Sequence, residues 1–329
     1  MTAMARLDRH PGIARLFDQC LALQPGEEVA LIVDDRTDGA LVDMLGAAIR
    51  DRQGVVVSAH VPVPLLPGEE PPRAIAGLLA ASDVAIELTS LFIGSSVARR
   101  RANEAGTRYL AMPGVVLDTF RAGGPLDLDL AQVRVGAEAV GAYWTAADRF
   151  RLTTPAGTDL SGSVRGRPGR VLHGIATAPG AYMAPPDIEA GTAPVEGTGS
   201  GVVVIDGDLL FMGIGPLVEP VVLTFAEGLL VDACGPEVGR LLDMVERCDD
   251  PRMANLAEVS LGLNPGGRIC EIAMETESAL GTAHIALGNS IAYGGIVDAR
   301  AHLDCVMRDA TLELDGRVVM SCGSLVSEV

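Results

Sequence analysis

The sequence predicts an α/β chain in two parts: an N-terminal Rossmann-like domain with a parallel sheet over residues 1–150, and a C-terminal α+β, mainly antiparallel domain over 151–329. Three observations predict it. Apolar strand-like runs alternate with helical stretches up to about residue 113, which is the signature of βαβ units. Beyond Arg151-Leu152-Thr153-Thr154-Pro155-Ala156-Gly157 the pattern shifts to short alternating strands broken by Gly and Pro. At 329 residues the chain also exceeds the usual size of one domain.

In chain order, strands are predicted over 29–33, 55–59, 84–88 and 109–112, with helices over 40–50, 73–81 and 95–105 between them. The strands are continuously apolar, as a parallel sheet covered on both faces requires. The loop after the first strand, Asp34-Asp35-Arg36-Thr37-Asp38-Gly39, has no glycine fingerprint, so the architecture comes without a dinucleotide site. A helix over 128–150 leads out of this half. The run Gly197-Thr198-Gly199-Ser200-Gly201 reads as a turn before a strand over 202–205. A helix is expected over 236–247, beginning with Pro236 and Glu237. Hairpin turns are expected at Asp206-Gly207-Asp208 and Asp315-Gly316, where Asp-Gly supplies positive φ.

Composition excludes several functions. A net charge of −18 with no concentrated basic patch argues against nucleic acid. All 25 basic residues are Arg; without Lys there is no Schiff base, no pyridoxal enzyme, no Walker-A phosphate site and no Lys-dependent peptidase. No Gly-x-Ser-x-Gly elbow is present. The cysteines at 20, 234, 248, 270, 305 and 322 stand singly, which gives no zinc knuckle, iron-sulfur cluster or disulfide framework. The N-terminus lacks a signal-peptide core and no apolar run approaches a membrane span, so a cytoplasmic protein is expected.

The residues that carry chemistry lie in the second half. In His302-Leu303-Asp304 an imidazole and a carboxylate occupy alternate positions of a strand and so share one face, the geometry of a metal half-site. The plainer reading is an ion-paired surface strand. Glu258 lies among apolar residues in Leu256-Ala257-Glu258-Val259, where it either faces solvent or is a buried charge that needs a cation. His284, in Gly281-Thr282-Ala283-His284-Ile285, reads alone as a hydrogen-bonded core histidine. Glu189, in Pro185-Pro186-Asp187-Ile188-Glu189, fits an acidic surface loop as well as a ligand.

Taken together, Thr153 to Leu160, Glu189 with Thr192-Ala193-Pro194, Leu256 to Val259, the His284 segment and His302-Leu303-Asp304 resemble, in order and spacing, the thermophilic metallo-aminopeptidase family of the aminopeptidase T type. The resemblance implies metal ligands at Glu189, Glu258, His284, His302 and Asp304, and one or two divalent ions, Zn, Co or Mn. It implies hydrolysis of small peptide-like substrates through an activated water, with Glu258 or Glu189 taking the proton, and a homodimer. The family's tyrosine falls on Tyr293, two residues later than its usual spacing. The short His284–His302 segment is also similar to the 2,5-dihydroxypyridine dioxygenase type, a ring-cleaving relative. That family's Fe(II) is held by two histidines and an aspartate. Its first histidine falls here on Glu258, although His284, His302 and Asp304 also make a two-His-one-carboxylate set. A non-catalytic small-molecule binding protein is the third reading. His10, His60 and His173 lie outside these motifs and are read as surface or core residues, with His60 at a strand end where such sheets bind ligands. Arg99-Arg100-Arg101 reads as a solvated helix face, and Thr158-Asp159 as a turn.

Overall fold

In the computed structural model, which describes residues 9–326, the N-terminal alternation forms one parallel sheet. Its strands β1 (Glu28–Val33), β2 (Val55–His60), β3 (Val84–Glu87) and β4 (Arg108–Ala111) lie in the order β2-β1-β3-β4. A two-residue strand, Tyr182–Met183, pairs parallel to β4 at the far edge. The intervening helices are α1 (Gly39–Asp51), α2 (Arg73–Ala81) and α3 (Val97–Glu104). Side chains set two of the helix starts: Asp38 accepts from the Ala40 amide, and Ser96 from the Arg99 amide. β3 and β4 are buried throughout and β1 nearly so. β2 departs from the expected burial because it is an edge strand, leaving Val55 and Val57 exposed. Arg99 also departs from a purely solvated face, since its guanidinium stacks on Tyr182 at 4.5 Å. His60 remains at the surface, paired with Asp35 at 3.0 Å.

The chain divides into two compact units, Met1–Ala131 with His173–Asp187, and Gln132–Leu172 with Ile188–Val329. The division falls before the boundary expected near residue 150, and a 15-residue excursion (173–187) returns to the first unit because Tyr182–Met183 extends its sheet. The connecting helix, Leu130–Ala146, is shorter than expected because Arg149–Thr153 is already a strand.

The second unit has two antiparallel sheets. The eight-stranded sheet runs in the order 229–234, 221–226, 200–205, 159–163, 149–153, 311–314, 317–321, 324–325. Asp315-Gly316 makes the expected hairpin, with both residues at positive φ. Asp206-Gly207 does not. Ser200–Ile205 pairs in this sheet, whereas Asp208–Leu209 pairs with His302–Met307 in the other, so the chain changes sheets there. Glycine is needed at 207 for contact rather than turn type: a Cβ would lie 2.7 Å from the Val306 carbonyl oxygen. The six-stranded sheet has the order Asp208–Leu209, His302–Met307, Ala283–Gly288, Leu256–Gly262, Glu189–Thr192, Arg170–Leu172. The predicted helix near 236–247 is Val238–Cys248, stopped by Asp249 at positive φ. All six cysteines are free, and no helix among the described residues is long and apolar enough to cross a membrane.

Candidate metal centre

One face of the six-stranded sheet collects the predicted ligands, for a reason that can be followed strand by strand. Successive side chains on a strand alternate faces, so His302 and Asp304 share a face, as do Glu258, Ser260 and Gly262, and Glu189 and Gly191. Antiparallel register then aligns them: Glu258 opposes Ala286, which opposes Asp304; Ser260 opposes His284; Gly288 opposes His302; Gly262 opposes Glu189. Neighbouring strands lie only about 4.8 Å apart, so ligand atoms on adjacent strands converge. The positions between them are small. Gly191, Gly262, Ala286 and Gly288 leave the space over the sheet open to side-chain tips, and at Gly191 a Cβ would come within 1.6 Å of Ser260 Oγ.

Two ligand groups result, each with its donor atoms within 4.8 Å of one another: Glu189, Glu258 and His284, and Glu258, His302 and Asp304. Glu258 belongs to both. His284 Nε2 lies 2.9 Å from Glu189 and 3.2 Å from Glu258; His302 Nε2 lies 2.9 Å from Glu258 and 3.1 Å from Asp304. Glu189, which read equally as a surface loop, is a buried strand residue 1% exposed, and Glu258 is fully buried. His284, His302 and Asp304, the triad of the iron alternative, are not gathered into a single group among the described residues; Glu258 stands between the two histidines.

His302 supplies the test of whether this set suits a metal ion. Its Nδ1 lies 2.7 Å from the Asn289 carbonyl oxygen. A carbonyl has no proton to give, so Nδ1 carries one, and neutral His302 turns only a lone pair toward two carboxylates. Such an arrangement needs a cation, either a second proton on the ring or a metal ion, and a backbone-held imidazole facing carboxylates is a usual metal-ligand geometry. The fully buried Glu258 Oε2 has His302 Nε2 beside it at 2.9 Å, so its satisfaction too depends on a ring proton or a metal ion. Two imidazoles and three carboxylates fit borderline divalent ions.

The electrostatics of the protein alone agree. Burial pushes Glu258 up, but the imidazoles of His284 and His302 outweigh it and hold the carboxyl down at about 2. Burial, then the Glu258 charge, pushes Glu189 up. Burial opposes charge on both histidines, yet both are driven well above their ordinary range, His284 by Glu189 and Glu258, His302 by Asp304 and Glu258. Acids left unneutralised at this site pull in positive charge from whatever can carry it.

Tyr293, despite its shifted spacing, reaches the centre: its hydroxyl donates to Glu189 and its ring stacks on His302 at 5.6 Å and 10°. Two contributors are not marked by the sequence. Ser260 Oγ donates to Glu258, and its one signal is its place two residues further along the same strand. Glu277, on the buried helix Ala273–Ser278, is raised well above its ordinary value by burial and then by Asp304, with Glu189 and Glu258 adding to it. It lies in a glutamate-containing segment with no strand alternation, so nothing marked it beforehand. Outside the centre, His173 is buried and its Nδ1 accepts from the Ile175 amide; Thr158 closes a turn with Thr154, whereas Asp159, read as part of that turn, begins a strand and pairs with Arg151.

The sequence profile of the NicX family, 2,5-dihydroxypyridine 5,6-dioxygenase, matches residues 12–327. The chain belongs to this family. The order of the two resemblances is thereby reversed, since aminopeptidase T ranked first by motif. A curated relative, 2,5-dihydroxypyridine 5,6-dioxygenase from Pseudomonas putida KT2440, is 23% identical over 192 residues, 55% of this chain and 55% of that protein. The match thus spans about half the length of the relative. Among solved structures, 2,5-dihydroxypyridine dioxygenase from the same organism superposes with a TM-score of 0.79 at 18% identity, covering 99% of this chain and 98% of that one. Aminopeptidase T from Thermus thermophilus superposes with a TM-score of 0.69 at 16% identity, covering 99% and 100%. At these identities the two structures speak for the fold, and the fold is common to both chemistries. Family membership supports an enzyme, and the site offers residues for a metal ion.

Proposed function

We propose that the chain is a metal-dependent hydrolase of small peptide-like or amide substrates, working at a centre for two ions bridged by Glu258. The observation that carries this is the sharing of Glu258 between two ligand groups, one of which, Glu189 with His284, is wholly buried. Burying ionisable groups costs several kcal/mol each, so a second lobe is hard to explain beside a three-ligand centre that does not use it. Glu189 and His284 would hold one ion, His302 and Asp304 the other, and Glu258 both. When bound, the ions supply Lewis acidity to a substrate carbonyl and acidify a water. Glu189, or Glu258 on releasing one ion, would take the water's proton, and the Tyr293 hydroxyl, on giving up its hydrogen bond to Glu189, would donate toward charge developing on the substrate oxygen.

Family membership and the P. putida relative favour a second reading, ring cleavage by a non-haem Fe(II) dioxygenase, and by name they favour it over peptide hydrolysis. In that reading the His302, Asp304 and Glu258 group would hold the iron, with a glutamate where the resemblance puts a histidine. Protein loaded with Zn, Co or Mn should release N-terminal residues from a panel of short peptides and amino-acid amides. Inertness across that panel, together with oxygen uptake on 2,5-dihydroxypyridine after anaerobic Fe(II) loading, would replace the first reading with the second.

A further inference from the structure

We infer that Arg167 and Glu196 are positioning residues: they clamp the loop between the His284 and His302 strands so that Tyr293 is held against Glu189 and His302. This deepens the reading of the centre given above and rests on it for the metal readout alone. The loop attaches to the centre in three ways, through the Asn289 carbonyl on His302 Nδ1, the Tyr293 hydroxyl on Glu189, and the Tyr293 ring on the His302 ring. Yet Tyr293 sits on a single 3₁₀ turn, Ile291–Tyr293, with no buried residue, and Ile291 and Ile296 nearby are 51% and 75% exposed. So short a turn does not hold its own shape.

Ser290 closes part of the loop on itself through Gly295 and Val297, and the tip that carries Tyr293 is gripped from outside as well. Arg167 Nη1 donates to the Gly294 carbonyl at 2.6 Å, and Nη2 to the Glu196 carboxylate. The other Glu196 oxygen accepts from the Ile296 amide at 3.0 Å, and the Ala193 amide donates to the Tyr293 carbonyl at 3.1 Å. One guanidinium and one carboxylate thus grip the backbone at 294 and 296, within three residues of the phenol. The pair is largely withdrawn from solvent, with side chains 12% and 26% exposed, so its charge-assisted bonds count for more than a surface pair's. Gly294 also rests on Pro168, next to Arg167, where a Cβ would lie 2.6 Å from the proline ring. Neither clamp residue is a candidate ligand. Their influence on the centre would pass through Tyr293.

The test uses full-length Glu196→Ala, Arg167→Lys, Tyr293→Phe and the double variant Glu196→Ala/Tyr293→Phe, each verified as folded by circular dichroism. In metal-free protein labelled with ¹³C-tyrosine, the four tyrosines give ring signals, of which the Tyr293 signal is the one lost in Tyr293→Phe. Glu196→Ala should move it toward the position of a free, unstacked ring, and Arg167→Lys should retain most of the native shift. With Co(II) as the probe, Glu196→Ala should weaken binding about tenfold and change the visible spectrum toward that of Tyr293→Phe. The double variant should bind more weakly than Tyr293→Phe by less than the full Glu196→Ala penalty, because the hydroxyl contact is already gone and the ring stack is what remains to lose. An unmoved ring signal in Glu196→Ala would overturn the inference, and so would Co(II) penalties that add in the double variant. A wild-type protein that takes up no Co(II) would refute the metal reading instead, and the ring signal would still decide the clamp.

Discussion

Each unit of the molecule buries a glutamate completely, and the two are satisfied in opposite ways. In the first unit Glu87 accepts from the Ile93 amide at 2.7 Å, the Tyr109 hydroxyl at 2.8 Å and the Thr89 hydroxyl at 3.2 Å. Its closest donors are uncharged, and burial carries the carboxyl up to about 7 against them. In the second unit Glu258 faces two imidazoles, a second buried glutamate and one hydroxyl, and is held down at about 2. A carboxyl fixed among neutral donors is a structural element, and burial, against those donors, is what favours its proton. One ringed by other titratable ligands depends on a cation for its stability, and that dependence is what marks the centre.

The largest expected effect breaks the second case. Glu258→Gln should lower kcat/KM at least about a thousandfold and empty both ion positions, because one residue serves both; steady-state kinetics and elemental analysis check it. Next, chelation of loaded wild-type protein should lower stability by about 4 kcal/mol where free metal had stood a thousandfold above its Kd, and should do so in the second unit alone. Hydrogen exchange resolved by segment would show β1, β3 and β4 unaffected.

The third prediction concerns Glu87. Its folded pKa is raised, so its stability contribution is complete below the ordinary value of 4.5 and is lost as pH rises through about 7. The span is of order 3 kcal/mol. Glu87→Gln should abolish that slope, read as the exchange stability of β3 and β4 amides at pH 5 and pH 8, and leave metal content unchanged. The smallest effect belongs to Ser260→Ala, which removes one donor from Glu258 and should weaken metal binding about tenfold, measured by competition with a chromophoric chelator.

The same contrast explains what the sequence discloses. The strands and helices of the first unit are legible because apolar runs alternate with helical stretches and polar loops in one regular pattern. His302, Asp304, Glu258 and His284 are legible as candidates because ligating side chains at alternate strand positions, or isolated among apolar ones, demand a partner. What the sequence conceals is long-range register. Nothing local tells that Glu258 stands between two histidines, that Asp206-Gly207 crosses between sheets rather than closing a hairpin, or that Tyr293 reaches Glu189 over 104 positions of chain. The return of 173–187 to the first unit is hidden for the same reason, since a two-residue strand carries no pattern of its own.

The most direct test of the shared centre is elemental analysis of wild-type, Glu258→Gln and Glu87→Gln proteins, each equilibrated with Zn(II) or Mn(II) and dialysed free of excess. A centre bridged by Glu258 predicts about two equivalents per chain in the wild type and in Glu87→Gln, and close to none in Glu258→Gln. A single equivalent in the wild type that survives Glu258→Gln would contradict it.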